Sequence, residues 1–352
     1  MSALLVRALA ASLRLGHRHA PRVSCEDPRI LVIRRNRMGD MICTLPLLRA
    51  LRRQFPAAHL AVACDTAGAP IAQACSAVDR VIPLRPGLNR WTALVGNARG
   101  LQEFDWVIAA KAGFDKRLAF LTRLTNAARR IGYENGTASE FYTDPVAIPA
   151  DLWRIHQIEA TLGLLAPLGV EAPVDPVPDL QLDLPTSAIA FAEALASFWK
   201  NRRLVLVNVS STSPLRFRDE DFAALVSELS SRADLAVGLV GLPADLPRAH
   251  RLAEATAGRA RVLSTPGPLE LAALVGQAHL LITGEGGAAH LAAAMGTLAV
   301  VLWSEGPFEK WYSRGPRHTF VRLKPGEGLL PLDRVRAALA PYLESERAPF
   351  VP

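Results

Sequence analysis

The sequence predicts an α/β protein of two domains, each a parallel sheet covered by helices. In both halves of the chain, short apolar runs alternate with amphipathic stretches, which is the pattern of buried parallel strands connected by helices. A proline-rich segment interrupts this alternation near the middle of the chain, and the alternation then begins again. The 352 residues, of which 50% are hydrophobic and 21% charged, are enough to give each domain a core of its own.

The strands of the first half are predicted from apolar runs that are too short for helices. They lie at residues 29–35, 59–65, 80–84 and 106–110. Between the first two, the segment TLPLLRALRRQF places leucines at helical spacing with arginines on the opposite side, so it is predicted as a helix. The second half repeats the pattern, with strands predicted at residues 203–209, 235–242, 261–265, 280–283 and 298–303.

Repeated prolines mark the boundary between the two domains. Pro173, Pro176, Pro178 and Pro185 lie in a stretch with few helical signals. The predicted organisation is a basic amphipathic segment, a first domain, a linker, a second domain, and a closing helix with its tail, at residues 1–27, 28–170, 171–188, 189–330 and 331–352. A ligand is expected in the cleft between the two domains.

The charge and the cysteines exclude some function classes. Lys and Arg number 40 against 33 Asp and Glu, a net charge of +7, which suits an anionic ligand or an anionic membrane surface. The sequence has no dense basic block with interleaved aromatic residues, so no nucleic-acid partner is predicted. The 4 cysteines form no CxxC pair, which predicts free thiols and a cytoplasmic location.

The N-terminal segment, residues 1–27, differs in character from the rest of the chain. Wound as a helix, it places Arg7, Arg14 and Arg18 near one face and its leucines mostly away from them. That is the pattern of a helix lying at a membrane surface, here the inner leaflet of the cytoplasmic membrane. A disordered start to the chain fits the same residues, and the sequence leaves both interpretations open.

The first candidate site follows the first predicted strand. The segment RRNRMGD places Asp40 behind Gly39 at the start of a helix, at the carboxyl end of a parallel strand, where α/β folds bind ligands. Asp at such a position is often only a helix cap. Arg34, Arg35 and Arg37 favour a functional role, because three neighbouring cations need a carboxylate or an anionic ligand to offset their charge.

The second candidate site is the glycine-rich turn in residues 280–296. Gly286 and Gly287 let backbone N–H groups approach a ligand closely, and the following helix N-terminus favours negative charge, so the turn is a candidate phosphate site. His290 lies about one helical turn further on. The alternative interpretation is a tight turn followed by a histidine that packs in the core.

The third candidate site is the segment VNVSSTSPLRF, in which a strand ends in hydroxyl residues. Ser210, Ser211 and Thr212 can donate hydrogen bonds to phosphate oxygens, and Arg216 can neutralise one of them. An ordinary turn before a helix is the alternative. Together the three loops offer a carboxylate base and diphosphate-binding groups. The one DxD spacing, Asp219-Glu220-Asp221, opens a segment with a helical pattern. The sequence therefore favours a nucleotide-sugar glycosyltransferase that uses no metal ion or other cofactor.

The segment MGDMICTLPLLRALRRQFP resembles glycosyltransferase family 9, the heptosyltransferases of lipopolysaccharide core assembly. The family begins with a strand, a loop ending in Gly-Asp, then Thr-Leu-Pro and a Leu-Arg-Ala-Leu helix. Further similar stretches are RRIGY, HQIEATLGLL, HLAAAMG, and LW followed by EKW. The resemblance covers residues 28–325 and implies the GT-B fold, two facing Rossmann-like domains with a central cleft. It also implies ADP-heptose as donor and a lipopolysaccharide core or related surface glycan as acceptor.

The same resemblance implies a role for each candidate residue. Asp40 would be the general base of an inverting displacement, and Arg216 would stand where the family usually has a lysine that pairs with the leaving diphosphate. The acceptor side would comprise Arg34, Arg35, Arg37 and Gly39. The donor side would comprise Ser210, Ser211, Thr212, Arg216, Glu285, Gly286, Gly287 and His290. The chain departs from the family at Glu285, usually Asp, and at Gly286, usually a hydroxyl residue, and both departures bear on the donor sugar.

Three other interpretations fit parts of the sequence. A non-catalytic GT-B scaffold protein would explain the altered nucleotide loop but has no need of Asp40. A GT-B nucleotide-sugar epimerase would use the donor without an acceptor. A dinucleotide-binding protein would use the glycine loop at 284–289, which fits G-x-G-x-x-A, with Glu305 as the ribose-binding acid.

Overall fold

The computed structural model describes residues 26–35, 37–87, 91–134, 141–211, 217–315 and 317–344. The N-terminal segment predicted to lie at a membrane surface falls outside them. The chain divides into two compact units, Met1–Leu180 and Gln181–Pro352. Each unit contains one six-stranded sheet, and every strand pairing within both sheets is parallel.

The first unit is a Rossmann-like sheet with strand order β3-β2-β1-β4-β5-β6. Its strands are β1 Arg29–Arg34, β2 His59–Cys64, β3 Arg80–Pro83, β4 Trp106–Ala109, β5 Arg129–Glu134 and β6 Asp144–Ala147. Its helices are α1 Met38–Ile42, α2 Leu45–Gln54, α3 Ala69–Gln73, α4 Trp91–Arg99, α5 Lys116–Leu124 and α6 Gln157–Leu162. The central strand β1 is apolar on both faces, and its four residues Ile30–Ile33 are fully buried, as expected of a parallel strand covered on both sides.

The second unit repeats the same strand order, counted from its own first strand. The sheet runs β12-β11-β10-β7-β8-β9. Its strands are β7 Arg203–Asn208, β8 Leu235–Val240, β9 Ala260–Val262, β10 Leu280–Gly284, β11 Leu298–Trp303 and β12 His318–Arg322. Its helices are α7 Thr186–Ala194, α8 Asp219–Ser231, α9 Leu246–Glu254, α10 Pro268–Gln277, α11 Gly287–Ala294, α12 Phe308–Trp311 and α13 Leu332–Leu343.

The last helix, α13, belongs to the core of the second unit. Val335, Leu339 and Tyr342 are buried in the same hydrophobic cluster as residues of β7, β8 and α8. The final carbonyls of the helix accept hydrogen bonds, since Arg203 donates to Leu343 O at 2.8 Å and His279 Nε2 lies 2.9 Å from Tyr342 O. Cationic groups at a helix C-terminus also complement its dipole.

The nine strands predicted from apolar runs are all present, with ends that differ by a few residues. Strands β5, β6 and β12 were not predicted. Their side chains are only partly buried, and two of these strands, β6 and β12, form sheet edges. A half-exposed strand carries polar residues such as Arg129 and Asp144, so it lacks the continuous apolar run by which the buried strands were recognised.

His318, at the start of β12, gives the second unit a pH-dependent contribution to stability. Burial lowers the pKa of His318 to about 4, although its ring bonds Ser313 Oγ at 2.8 Å and Thr297 O at 3.1 Å. The unfolded chain, with a His pKa of about 6.5, therefore binds the proton more readily than the folded protein. This contribution is fully present above pH 6.5 and is lost as the pH falls towards 4.

We expect the free energy of unfolding to fall by about 2 kcal/mol between pH 7 and pH 5 through His318. Urea unfolding of wild type and His318→Gln at both pH values measures this term, because the glutamine cannot take up the proton. The variant should be less stable at pH 7 but lose less stability on acidification. An equal loss in both proteins would show that His318 does not carry the effect.

Candidate functional site

Asp40 lies at the carboxyl edge of the first sheet, in the first turn of α1. Its side chain is 13% exposed. The carboxylate oxygen Oδ2 accepts a long hydrogen bond of 3.3 Å from the backbone N–H of Arg37, the residue that precedes the helix. Asp40 is therefore the third helical residue in a capping box, whereas the simpler interpretation of the sequence expected it to be the cap itself; the residue at the cap position is Arg37. The cap interaction engages one oxygen weakly and does not bury the carboxylate.

The other oxygen of Asp40, Oδ1, is held by Arg34. The Arg34 guanidinium donates to Oδ1 at 2.6 Å and also donates to the carbonyl of Ala110, just beyond β4. Arg34 is only 2% exposed. Burial lowers the pKa of the Arg34 guanidinium, and the negative charge of Asp40 opposes that shift. The pair thus joins the ends of two neighbouring strands, β1 and β4, to the first turn of α1.

The other two arginines of this loop are less buried than Arg34. Arg35 Nε lies 4.0 Å from the carboxylate of Asp65, which directly follows β2. Arg37 is exposed, and Gly39 is buried in the first turn of α1. Of the three arginines that the sequence grouped together, Arg34 is thus the most buried, Arg35 is partly buried and its Nε is shielded from solvent, and Arg37 is exposed.

Two charged residues that the sequence analysis did not single out lie at the same edge. Lys111 follows β4, and its Nζ lies 2.7 Å from Asp115 Oδ2. Asp115 also caps α5, accepting from the N–H groups of Arg117 and Leu118 at 3.0 Å. Burial acts to raise the pKa of Asp115, but its bonds to Lys111 and Leu118 outweigh it and the pKa is lowered. A lysine and a glycine directly after a buried strand are the signal that could have identified this loop.

At the carboxyl edge of the second sheet, Asn208 links two loops. Its amide Nδ2 donates to Ser210 O at 3.0 Å and to Thr283 Oγ1 at 2.9 Å, and its Oδ1 accepts from Ser210 N–H at 3.2 Å. Ser211 Oγ donates to the carbonyl of Glu285 at 3.2 Å. The loop after β7 and the loop after β10, both predicted from the sequence to bind the donor, are therefore held beside each other.

The hydroxyl of Ser210 is engaged within the protein. It donates to Asp245 Oδ2 and accepts from the Leu242 N–H at 2.8 Å. A hydroxyl has one proton to donate, so Ser210 would have to leave Asp245 before donating to a phosphate. Thr212 and Arg216 lie outside the residues that the structure describes. Sequence reasoning missed Asn208 and Asp245, although Asn208 is the polar residue that ends an otherwise apolar strand.

The glycine-rich turn has the backbone that its sequence predicted. Gly286 adopts φ 139° and ψ −160°, a region open almost only to glycine. Glu285 is 6% exposed, and its N–H donates to Leu302 O at 3.2 Å. Gly287 begins α11, and His290 is buried in the first turn of that helix. The turn therefore places the N-terminus of α11 at the sheet edge where β10 ends, and a helix N-terminus favours negative charge.

No group of three or more His, Cys, Asp or Glu side chains among the described residues is arranged to hold a metal ion. Nor is any helix among them both long enough and apolar enough to cross a membrane. The candidate groups are a carboxylate paired with an arginine at the carboxyl edge of the first sheet, and a glycine turn with hydroxyl residues at the carboxyl edge of the second sheet.

Solved structures resemble this chain over most of its length. A glycosyltransferase family 9 protein from Veillonella parvula has a TM-score of 0.78 and 20% identity, over 90% of this chain and 98% of that one. ADP-heptose lipopolysaccharide heptosyltransferase II of E. coli has a TM-score of 0.74 and 19% identity, over 90% and 98%. E. coli heptosyltransferase WaaC with ADP has a TM-score of 0.71 and 23% identity, over 89% and 99%. At these identities the likeness concerns the fold, and it confirms the predicted GT-B class.

Comparison by sequence gives a narrower result. No curated protein matches the chain. The model of glycosyltransferase family 9 (heptosyltransferase) matches residues 96–328, which is more than half of the chain and includes the glycine turn and the hydroxyl loop. The family recognised from the sequence is thereby confirmed. The chain belongs to glycosyltransferase family 9, and it is a glycosyltransferase.

Proposed function

We propose that the protein transfers heptose from ADP-heptose to a lipopolysaccharide core or related surface-glycan acceptor, with inversion and without a metal ion. Similar structures include a heptosyltransferase with ADP and one with ADP-2-deoxy-2-fluoro heptose, and these ligands support this donor. The observation that carries the proposal is Asp40, a partly exposed carboxylate at a parallel-sheet edge with one oxygen held by Arg34 and the other only weakly bonded.

In the proposed reaction Asp40 acts as the general base. Its Oδ2 takes the proton from the acceptor hydroxyl while that oxygen attacks the anomeric carbon of the donor sugar. The new C–O bond forms on the face opposite the diphosphate, which leaves with the electron pair of the broken bond. A single displacement of this kind inverts the configuration at the anomeric carbon.

The second unit would bind the donor. The N-terminus of α11 and the close-approaching backbone of Gly286 and Gly287 favour the negative charge of a diphosphate. Ser211, Thr212 and Arg216 would add donors, and charge from Arg216 would take the place of a metal ion. Glu285 and His290 would face the donor sugar, with the Glu285 carboxylate accepting from its hydroxyl groups.

The proposed acceptor is a glycolipid, or a glycan made on one, at the inner leaflet of the cytoplasmic membrane. The basic residues of the N-terminal segment, Arg7, Arg14 and Arg18, would keep the enzyme near that anionic surface. The groups offered to the acceptor would be Arg35 and Arg37, the two arginines of the loop after β1 that are more exposed than Arg34.

Calorimetric titration of donors tests the proposal. We expect ADP-heptose to bind more tightly than UDP- or GDP-sugars, and Arg216→Ala to weaken it about 10- to 100-fold, because a hydrogen bond to a charged group contributes about 1.5–3 kcal/mol. Arg218→Ala is the matched control, since Arg218 is exposed and pairs with Asp221 at 2.7 Å. If another nucleotide sugar bound more tightly, ADP-heptose would be the wrong donor. If no nucleotide sugar bound, the proposed function would be contradicted.

A further inference from the structure

The guanidinium of Arg34 is unusually constrained for a surface-edge arginine. Its Nη2 donates to Asp40 and its Nη1 to Ala110 O, and its side chain is 2% exposed. The third nitrogen, Nε, is buried and meets no hydrogen-bond acceptor within the described part of the chain. A buried cation with an unsatisfied donor costs stability, and replacing such a pair with apolar residues is often neutral or stabilising. Stability alone therefore does not explain an arginine here.

The two oxygens of Asp40 are made unequal by this contact. Oδ1 accepts from the buried guanidinium at 2.6 Å, whereas Oδ2 accepts only the backbone N–H of Arg37 at 3.3 Å. A second contact fixes the backbone of the residue, because Thr44 Oγ1 donates to the Asp40 carbonyl at 2.8 Å. The carboxylate is thus held in one rotation, with Oδ2 as the oxygen that retains accepting capacity.

We infer that Arg34 is a positioning residue for the base: it anchors Oδ1 to the end of β4 so that Oδ2 is the oxygen that receives the acceptor proton. This inference rests on the proposed role of Asp40 and separates Arg34 from the acceptor-binding arginines. In the step, the acceptor O–H bond breaks and an Oδ2–H bond forms, while the freed electron pair makes the bond to the anomeric carbon. The charge of Arg34 then favours release of the proton from Asp40, which restores the base.

The test combines removal of the arginine with its chemical replacement. Arg34→Ala should lower kcat about 100-fold, the scale expected when a reacting group is misplaced by about 1 Å, and leave the affinity for ADP-heptose unchanged. Ethylguanidinium at millimolar concentration should restore at least one tenth of the lost activity by filling the vacated space, whereas ammonium at equal ionic strength should not. Arg34→Lys, which keeps the charge and one hydrogen bond but loses the second anchor, should have a kcat above that of Arg34→Ala and clearly below that of wild type.

Arg53→Ala is the matched control, because this arginine of the first unit donates from both Nη atoms to the Asp179 carboxylate at 2.8 Å and belongs to none of the proposed sites. Its activity should not respond to ethylguanidinium. Folding is checked for each variant by circular dichroism and by donor titration, and if Arg34→Ala does not fold, the kcat and KM of Arg34→Lys decide. Suppose that wild type transfers the sugar and Asp40→Asn does not. A fully active Arg34→Ala or Arg34→Lys would then overturn this inference and leave the proposed function intact. Wild type without transfer would instead overturn the proposed function.

Discussion

Asp40→Asn is expected to lower the kcat for sugar transfer about 1,000-fold, within the 10²- to 10⁴-fold range of general acid–base catalysis. The amide has the size of the carboxylate, and its oxygen can still accept from Arg34, so only the long hydrogen bond from the Arg37 N–H is lost. Its Nδ2 cannot take a proton from the acceptor. Because the proposed donor groups belong to the second unit, the affinity for ADP-heptose should not change. Steady-state release of ADP and calorimetric titration of the donor measure the two quantities separately.

Asp65→Asn serves as the matched control for that variant. Asp65 also follows a strand of the first sheet and lies near an arginine, Arg35, but the contact is longer at 4.0 Å and the side chain is more exposed. We expect its kcat to stay within about threefold of wild type, because surface ion pairs contribute little. An Asp40→Asn enzyme that kept more than one tenth of the activity would contradict the role of Asp40 as base.

Gly286→Ala is expected to weaken donor binding about 10- to 100-fold. The backbone of Gly286, at φ 139° and ψ −160°, would cost an alanine of the order of 1–3 kcal/mol. The loop can relieve this strain by turning away from that conformation, which would move the N-terminus of α11 and its amides. Since each 1.4 kcal/mol is tenfold in affinity, the loss should be plain in a calorimetric titration with ADP-heptose.

A glycine at the other end of the same helix provides the control. Gly296 has φ 68°, and a Cβ added there would meet nothing within 4 Å. Gly296→Ala should therefore carry backbone strain of its own and lower the melting temperature, while donor affinity stays at the wild-type value. Equal donor affinities for the two variants would show that the backbone conformation of Gly286 does not determine how tightly the donor binds.

The sequence predicts most of the fold because the central strands are buried on both faces. β1, β7 and β10 each read as an uninterrupted apolar run with a polar or glycine residue at the end, and such runs are recognisable one at a time. β5 and β6 pair with each other near one edge of their sheet; only Ile131–Tyr133 of β5 are buried, and every residue of β6 is at least partly exposed. Their pairing depends on neighbours distant in sequence, which a local pattern does not contain.

The candidate site was predictable in its positions and less so in its contacts. Asp40, Gly286 and Ser211 lie where the strand and loop pattern placed them, each beyond the carboxyl end of a parallel strand. The sequence alone does not show which of the three neighbouring arginines is buried. Only the fold brings Arg34 to Ala110, 76 residues away. The hydrogen bond from Ser210 to Asp245 likewise joins residues 35 positions apart. The sequence pattern does not contain it, and the Ser210 hydroxyl was therefore predicted to be available to a ligand.

The central claim is that this glycosyltransferase moves one sugar from ADP-heptose to a glycan acceptor with Asp40 as the base. The most direct measurement is mass spectrometry of a core-type glycolipid acceptor after incubation with the full-length protein and ADP-heptose, with a parallel reaction that lacks the acceptor. We expect the acceptor to gain one heptose, with one ADP released per transfer, an inverted linkage by NMR and almost no product from Asp40→Asn. Conversion of the donor without the acceptor, or tight donor binding with no transfer to any core-type acceptor, would contradict the account.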